Sequence, residues 1–327
     1  MGYRGTTSTV LNFGENDDCI GYLIGEPHQG LKYMFMMMNE ARIGVGLGAA
    51  VLGYRGYAES LNYAKERPQG RHPSNKDPES KPLAIIEHAD VKRMLLAQKA
   101  YAEGAIALCL YGNRLVDEIT VTEDAAERKA LHELLDLITP IIKSWPSEFG
   151  PKANSLAIQI LGGAGYIREY PVEQIYRDNR LNPIHEGTHG IQAMDLLGRK
   201  VWQSKSQGLA RLVQEIQNTL NTAKEFPELS EYAEQLQQAQ QLVQDTTQKL
   251  GSLIHSEGPD VGLSNAALYL SLSGHVVVAW QWLWQATEAV KGLRKEPDSA
   301  FFKGKLQACR YFYRWELPKI QHWSQLL

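Results

Sequence analysis

The sequence predicts a mainly all-α protein with a short β-prone segment at its start and two helical bundles in series. Long proline-free stretches carry apolar residues at helical spacing, and prolines and glycine pairs fall between them. The composition is 43% hydrophobic and 22% charged, which is typical of globular domains with a sizeable core. The 327 residues suit about two domains. We place these at 31–203 and 204–327, after a segment 1–30.

The first 28 residues differ from the rest of the chain. Residues 6–11 read TTSTVL, which is β-prone, and Gly14 and residues 16–18 favour turns. One or two short strands fit here, but no partner strand follows, and a two-stranded piece is marginally stable alone. We therefore expect the chain to begin inside a domain.

Prolines and glycines divide the first helical region. The run from Leu31 to Lys65 has no proline, whereas Pro140 removes a backbone donor and is expected to end a helix. The start of the next helix is expected between Pro146 and Pro151. The predicted elements are helices over 31–65, 85–116 and 123–138, a helix that ends at Leu161 before Gly162 and Gly163, a short helix from Pro171, and a surface loop over 68–82.

A shift in composition near residue 203 marks the second bundle. Beyond it, residues 235–248 are rich in glutamine, with apolar residues on one helical face, and two more helices fit on either side of Pro297. Residues 266–287 have no formal charge and are long enough to span a membrane. Polar side chains interrupt this stretch, so we predict a buried bundle helix and no membrane span.

Charge and cysteine content exclude several classes of protein. The 34 basic and 37 acidic residues give a net charge of −3, which does not favour a nucleic-acid partner. The three cysteines lie far apart without a CxxC pair, which favours a reducing cytoplasm over a disulfide framework.

Residues 185–189 read HEGTH, the HExxH pattern of zinc hydrolases, and Asp195 has the spacing of a possible third ligand. That chemistry needs a regular helix through both histidines. Pro183 and Gly187 disfavour a helix here, so we predict no metal site, with zinc hydrolysis as the alternative.

Several short motifs occur in order along the first 203 residues. They are LIGEPHQG at 23–30, NEAR at 39–42, QILGGAGY at 159–166, EYPVE at 169–173, RD at 177–178 and EGTHGIQ at 186–192. Together they resemble the C-terminal part of the acyl-CoA dehydrogenase family. Residues 204–327 resemble the extra helical domain of a subgroup that includes the 3-methylmercaptopropionyl-CoA dehydrogenases.

The resemblance implies a C-terminal four-helix bundle, with residues 1–30 as a remnant of the middle β-domain. It implies that the chain is a C-terminal fragment of a longer FAD-dependent enzyme and is inactive alone. The family oxidises an acyl-CoA thioester to the 2,3-enoyl-CoA and passes electrons to an acceptor. A homodimer or tetramer is expected, because the family's cofactor spans subunits.

By motif position, Glu186 is the catalytic base that removes the α-proton. Its ordinary pKa near 4.3 is low for this task, and burial in a closed apolar pocket would raise it. Some family members place the base before the arginine that matches Arg42. That residue is Ala41 here, which cannot accept a proton, so the resemblance points to Glu186.

The other site residues are also implied by motif position. Arg42 and Gly187 are expected to contact the substrate, and Gly187 also permits a bend that aims the carboxylate into a cleft. Residues expected to bind FAD are Arg67 at the pyrophosphate, Gln159, Gly162 and Gly163 at the adenosine, and Thr188 on the flavin side.

Structural roles are the alternatives for some of these residues: a helix-end salt bridge for Arg67 and a helix C-cap for Gly162 and Gly163. The alternative for the whole chain is a non-catalytic helical binding or assembly module on the same scaffold.

Overall fold

The computed structural model describes the backbone of residues 1–327 and all their side chains except those of residues 35 and 36. Its first part consists of three long helices and two short ones, so the predicted all-α class is confirmed. These helices are α1 (Gly30–Glu66), α2 (Ala89–Val121), α3 (Ala125–Leu161), α4 (Val172–Asn179) and α5 (His189–Asp195), with 3₁₀ turns at Ile85–Glu87 and Gly162–Tyr166.

The long helices pack side by side, and small residues let α1 approach α3 closely. A Cβ added at Gly46 would lie 2.1 Å from the carbonyl oxygen of Ile142 on α3. A Cβ added at Gly150 would lie 2.6 Å from the carbonyl oxygen of Ala49 on α1. The two backbones therefore leave no room for side chains at these crossings, which fixes α3 against α1.

The prediction that a helix ends before Pro140 is wrong, because α3 continues through Pro140, Pro146 and Pro151. All three prolines are buried, and packing against the neighbouring helices outweighs their local cost. Side chains also bond to backbone carbonyls here. The hydroxyls of Thr139 and Ser147 donate to carbonyl oxygens four residues earlier, at 2.6 and 2.5 Å.

The strands expected near the start of the chain are not formed. Residues 1–29 contain turns and irregular backbone, and the β-prone stretch 6–11 is exposed. Without a neighbouring strand, its backbone groups have no pairing partner. Within the described backbone, strand-like pairing is limited to an isolated antiparallel bridge between Pro68 and Ala84, which closes the predicted surface loop.

The second part of the chain follows a change of direction near the predicted boundary. Ser204, Lys205 and Ser206 all have left-handed backbone conformations. The division at residue 203 stays a prediction. The helices beyond it are α6 (Gln207–Ala223), α7 (Ser230–Glu257), α8 (Pro259–Gly262), α9 (Ala266–Lys295), α10 (Ala300–Tyr311) and α11 (Lys319–Leu326).

Helix α9 contains the uncharged stretch 266–287, and its placement agrees with the buried bundle helix that we predict. Its side chains are mostly buried, including Trp280 and Trp282. In the part of the chain that the structure describes, no helix has the length and apolar character needed to cross a membrane.

The two parts of the chain share one hydrophobic core. Trp145 of α3 donates its indole N–H to Nδ1 of His275 on α9 at 3.1 Å, and its ring stacks on Phe149. Trp282 of α9 donates to the carbonyl oxygen of Ala100 on α2 at 3.1 Å. These contacts fasten the second bundle to the first.

A buried carboxylate lies in the same contact region. Glu316 accepts a hydrogen bond at 2.8 Å from Tyr101 of α2, forms an ion pair with Lys319, and lies 3.8 Å from Nε2 of His275. Burial by itself raises the pKa of Glu316, but the neighbouring His275, Lys319 and Tyr101 outweigh it and lower the pKa to about 2. The ionised carboxylate therefore stabilises the junction of the bundles.

This shift predicts a pH-dependent contribution to stability. Because the folded-state pKa lies below the ordinary value of 4.5, the contribution is complete above about pH 4.5 and is lost as the pH falls towards 2. We expect Glu316→Gln to lower the free energy of unfolding by about 3 kcal/mol at pH 6, and by much less at pH 3. Urea titrations of both proteins at the two pH values would measure this, and an equal difference at both would contradict it.

Candidate active site

The HEGTH segment forms a bent loop between α4 and α5 and not a helix. Glu186 has φ +53° and Gly187 has φ +84°, a left-handed conformation that is uncommon for a residue with a side chain. The two histidines therefore do not share one helix face, as the zinc pattern requires. Among the described residues, no cluster of three His, Cys, Asp or Glu could hold a metal ion.

Two buried side chains hold the carbonyl groups of this loop. Gln192 of α5 donates from Nε2 to the carbonyl oxygen of Glu186 at 3.0 Å. Lys143 of α3 donates from Nζ to the carbonyl oxygen of Gly187 at 2.6 Å. Thr188 caps α5, with its hydroxyl oxygen accepting from the backbone N–H of Ile191 at 3.4 Å. The loop is thus fixed to two helices.

A chain of amides supports the other side of the loop. Asn182 donates to Asn179 at 2.8 Å, and Asn179 donates to Asn154 of α3 at 2.7 Å. The ring of His185 lies 3.1 Å from the amide oxygen of Asn182. Burial, reinforced by the charge of Lys143 and opposed by Glu186, lowers the pKa of His185 below its ordinary value.

The side chain of Glu186 is exposed. Among the described residues, its carboxylate has no hydrogen-bond or ion-pair partner. The described residues do not bury Glu186 in the closed apolar pocket that is expected from the sequence. The structure thus presents a free carboxylate on a firmly held backbone.

Arg42 lies in the protein interior near this loop. It is 8% exposed, and its guanidinium pairs with Asp195 at 3.0 Å. Burial lowers the pKa of Lys143 to about 8, with Arg42 also lowering it and Glu148 and Glu186 opposing the shift. Arg42, Lys143 and Glu186 therefore lie within electrostatic range of one another.

A second region brings together four of the residues expected to bind FAD. An open cleft of about 670 Å³ is lined by Arg67, Gln159, Gly162 and Gly163, together with neighbouring residues such as Tyr63. Arg67 lies at the end of α1, as does Tyr63, whereas Gln159, Gly162 and Gly163 lie at the end of α3. Thr188 and Glu186 lie outside this lining, on the loop described above.

The cleft residues have local structural roles as well. Arg67 donates to the carbonyl oxygen of Pro68. The helix-end salt bridge is not seen among the described residues. Gly162 does cap α3, with φ +60° and its N–H donating to the carbonyl oxygen of Gln159. A Cβ added at Gly162 or Gly163 would meet no atom within 4 Å, so this edge of the cleft is open.

Sequence reasoning missed the two residues that hold the loop. Lys143 lies in the apolar stretch ITPIIKSW and is fully buried. A single charge inside such a run is a usable signal, because a buried charge needs a specific partner. Gln192 belongs to the EGTHGIQ motif, but its position in that motif does not indicate that it binds the Glu186 carbonyl group.

Comparison with known proteins identifies the family. A family model described as the acyl-CoA dehydrogenase C-terminal domain matches residues 28–201. The chain belongs to the acyl-CoA dehydrogenase family. A second model, described as acetyl-CoA dehydrogenase C-terminal like, matches residues 212–327.

Several curated proteins of the acyl-CoA dehydrogenase family are similar to this chain. A 3-methylmercaptopropionyl-CoA dehydrogenase from Ruegeria pomeroyi is 34% identical over 95% of this chain and 52% of its own length. A broad-specificity linear acyl-CoA dehydrogenase from Mycobacterium tuberculosis is 31% identical over 98% of this chain and 54% of its own length. The chain therefore spans about half the length of these relatives.

Solved structures of the acyl-CoA dehydrogenase family share the fold. An acyl-CoA dehydrogenase from Bacillus anthracis, complexed with FAD, superposes with a TM-score of 0.71 at 18% identity, over 92% of this chain and 50% of that one. A Caenorhabditis elegans structure in complex with C11-CoA gives a TM-score of 0.62 at 18% identity, over 88% of this chain and 44% of that one.

Proposed function

We propose that this chain is part of a longer FAD-dependent enzyme that oxidises an acyl-CoA thioester to the 2,3-enoyl-CoA. Family membership and two relatives above 30% identity that are named as acyl-CoA dehydrogenases support this assignment. The observation that carries it is the exposed Glu186 carboxylate, presented on a loop whose carbonyl groups are fixed by Gln192 and Lys143.

In this proposal Glu186 removes the α-proton of the thioester. A carboxylate is a weak base at its ordinary pKa near 4.3, so the second wall of the pocket must bury it and raise that pKa. FAD, when bound, supplies the acceptor for the β-hydrogen, which leaves as a hydride. Arg42 and Gly187 lie on the substrate side, with Arg42 held in place by Asp195.

The cleft at the ends of α1 and α3 fits a dinucleotide such as FAD. Arg67 is exposed at the cleft, and a planar guanidinium suits a pyrophosphate. The amide of Gln159 can pair with ring or ribose atoms, and the open edge at Gly162 and Gly163 allows close approach. In this proposal Thr188 faces the flavin. The open edge also suits a cofactor shared between subunits, as in a homodimer or tetramer.

The test is turnover by the longer enzyme with an acyl-CoA and a dye as electron acceptor. We expect turnover by the longer enzyme and none by the 327-residue chain alone, since part of the pocket is missing from it. Absence of turnover with short, medium and long acyl chains would contradict the proposal.

A non-catalytic helical binding or assembly module on the same scaffold is the competing proposal. Flavin absorbance at about 450 nm distinguishes the enzyme from the non-catalytic module. Purified longer protein that contains stoichiometric flavin supports the enzyme. Protein that takes up no flavin under any condition supports the module.

Arg67 offers a separate prediction for the cofactor cleft. We expect Arg67→Ala in the longer enzyme to weaken FAD binding about tenfold or more, because a charge-assisted contact to the pyrophosphate is lost. Flavin titration by fluorescence quenching would measure this. Arg71→Ala is the matched control, since Arg71 lies on the surface loop and does not line the cleft. Equal affinities for the two variants would contradict the role of Arg67.

A further inference from the structure

The backbone of Glu186 is held in an uncommon conformation by hydrogen bonds from buried side chains. Both Glu186 and Gly187 have left-handed φ angles. A non-glycine residue keeps such a conformation only where its surroundings enforce it. The contacts that hold the Glu186 backbone in this conformation therefore set the direction of its carboxylate.

The enforcing contacts come from two buried polar side chains. Lys143 and Gln192 are both 0% exposed, and each donates to a carbonyl group of the loop, of Gly187 at 2.6 Å and of Glu186 at 3.0 Å. A Cβ added at Gly187 would lie 2.6 Å from Nε2 of Gln192. Any other residue at this position would therefore push the amide off the Glu186 carbonyl.

Burial of the Lys143 ammonium is energetically unfavourable unless specific contacts offset the loss of hydration. A buried ammonium loses its hydration, and here burial is opposed only by Glu148 and Glu186, while Arg42 adds a repulsive charge. The hydrogen bond to Gly187 is the direct contact of its Nζ in the described structure. The buried ammonium of Lys143 thus binds the carbonyl group of Gly187, which directly follows Glu186, the proposed catalytic base.

We propose that Lys143 and Gln192 are positioning residues that clamp the Glu186–Gly187 backbone and so aim the Glu186 carboxylate at the substrate. This inference rests on the proposed function for its consequence, but the clamp itself is a property of the 327-residue chain.

The clamp is tested by amide hydrogen exchange on the 327-residue chain. We expect Lys143→Met to speed exchange about tenfold or more in a peptide over residues 183–191, where His189 donates to Pro183 and Ile191 to Thr188. Lys152→Met is the matched control, because Lys152 lies on the same helix with its ammonium over Phe149. Unchanged exchange in Lys143→Met would overturn the clamp.

Gln192→Met provides a second test should Lys143→Met fold poorly. Methionine has a similar shape but donates no hydrogen bond, so the Glu186 carbonyl is released. We expect faster exchange over the same peptide, and unchanged exchange would contradict the role of Gln192.

In the longer enzyme, we expect Lys143→Met to lower kcat at least tenfold with little change in KM. The loss should appear in kcat and not in KM, because the Lys143 side chain acts on the loop backbone and does not bind the substrate. Equal losses in kcat and in substrate affinity would point to a merely structural role and would contradict positioning. If the wild-type enzyme does not turn over while the exchange result holds, the proposed function fails and the clamp stands.

Discussion

Replacement of Glu186 by glutamine in the longer enzyme is expected to lower kcat about a thousandfold. The amide keeps the shape of the side chain but cannot take a proton, and a positioned general base contributes about 10²- to 10⁴-fold to a rate. Binding of acyl-CoA and FAD should change little, because neither depends on the basicity of this group. Stopped-flow measurement of flavin reduction would isolate the chemical step.

Glu148→Gln is the matched control for that experiment. Glu148 is a further carboxylate near the loop, 4.0 Å from Nδ1 of His189, and it also influences Lys143 electrostatically. We expect less than a tenfold change in kcat for this variant. A large loss in Glu148→Gln together with an active Glu186→Gln would show that the wrong carboxylate has been assigned.

Truncation of Trp145 to alanine is expected to cost the 327-residue chain about 3–5 kcal/mol of unfolding free energy. Trp145 is 2% exposed, stacks on Phe149 and donates to His275 across the junction between the bundles. Its loss leaves a cavity beside His275 and removes one hydrogen bond across the junction. Urea unfolding, followed by far-ultraviolet circular dichroism, would measure the change.

Trp145→Phe separates the hydrogen bond from the packing. Phenylalanine retains most of the ring but has no N–H for His275, so we expect a cost nearer 1–2 kcal/mol. Because one hydrophobic core spans both bundles, both variants should move a single unfolding transition. Two separate transitions, with only one moved by Trp145→Ala, would contradict the shared core.

Much of the fold could be predicted from the sequence because helical periodicity is a local property. The long first helix was predicted over 31–65 and observed over Gly30–Glu66. Pro140 was misread because the packing of α3 between its neighbours is not visible in a local pattern. The β-prone residues 6–11 were misread for the converse reason, since local propensity forms no strand without a partner.

The candidate site depended on a resemblance and not on residue spacing. Nothing in the sequence alone places the end of α1 beside the end of α3, yet the structure brings Arg67 and Gln159 to one cleft. Lys143 was missed because its role depends on a carbonyl group 44 positions away. The expected burial of Glu186 is not observed, because its side chain is exposed among the described residues.

The position of the Glu186 carboxylate in a crystal structure of the longer enzyme, with FAD and an unreactive acyl-CoA analogue bound, tests the central claim most directly. We predict that a carboxylate oxygen lies about 3 Å from the α-carbon, with the left-handed backbone of Glu186 unchanged. A carboxylate that points into solvent, with another base beside the α-carbon, would contradict the account.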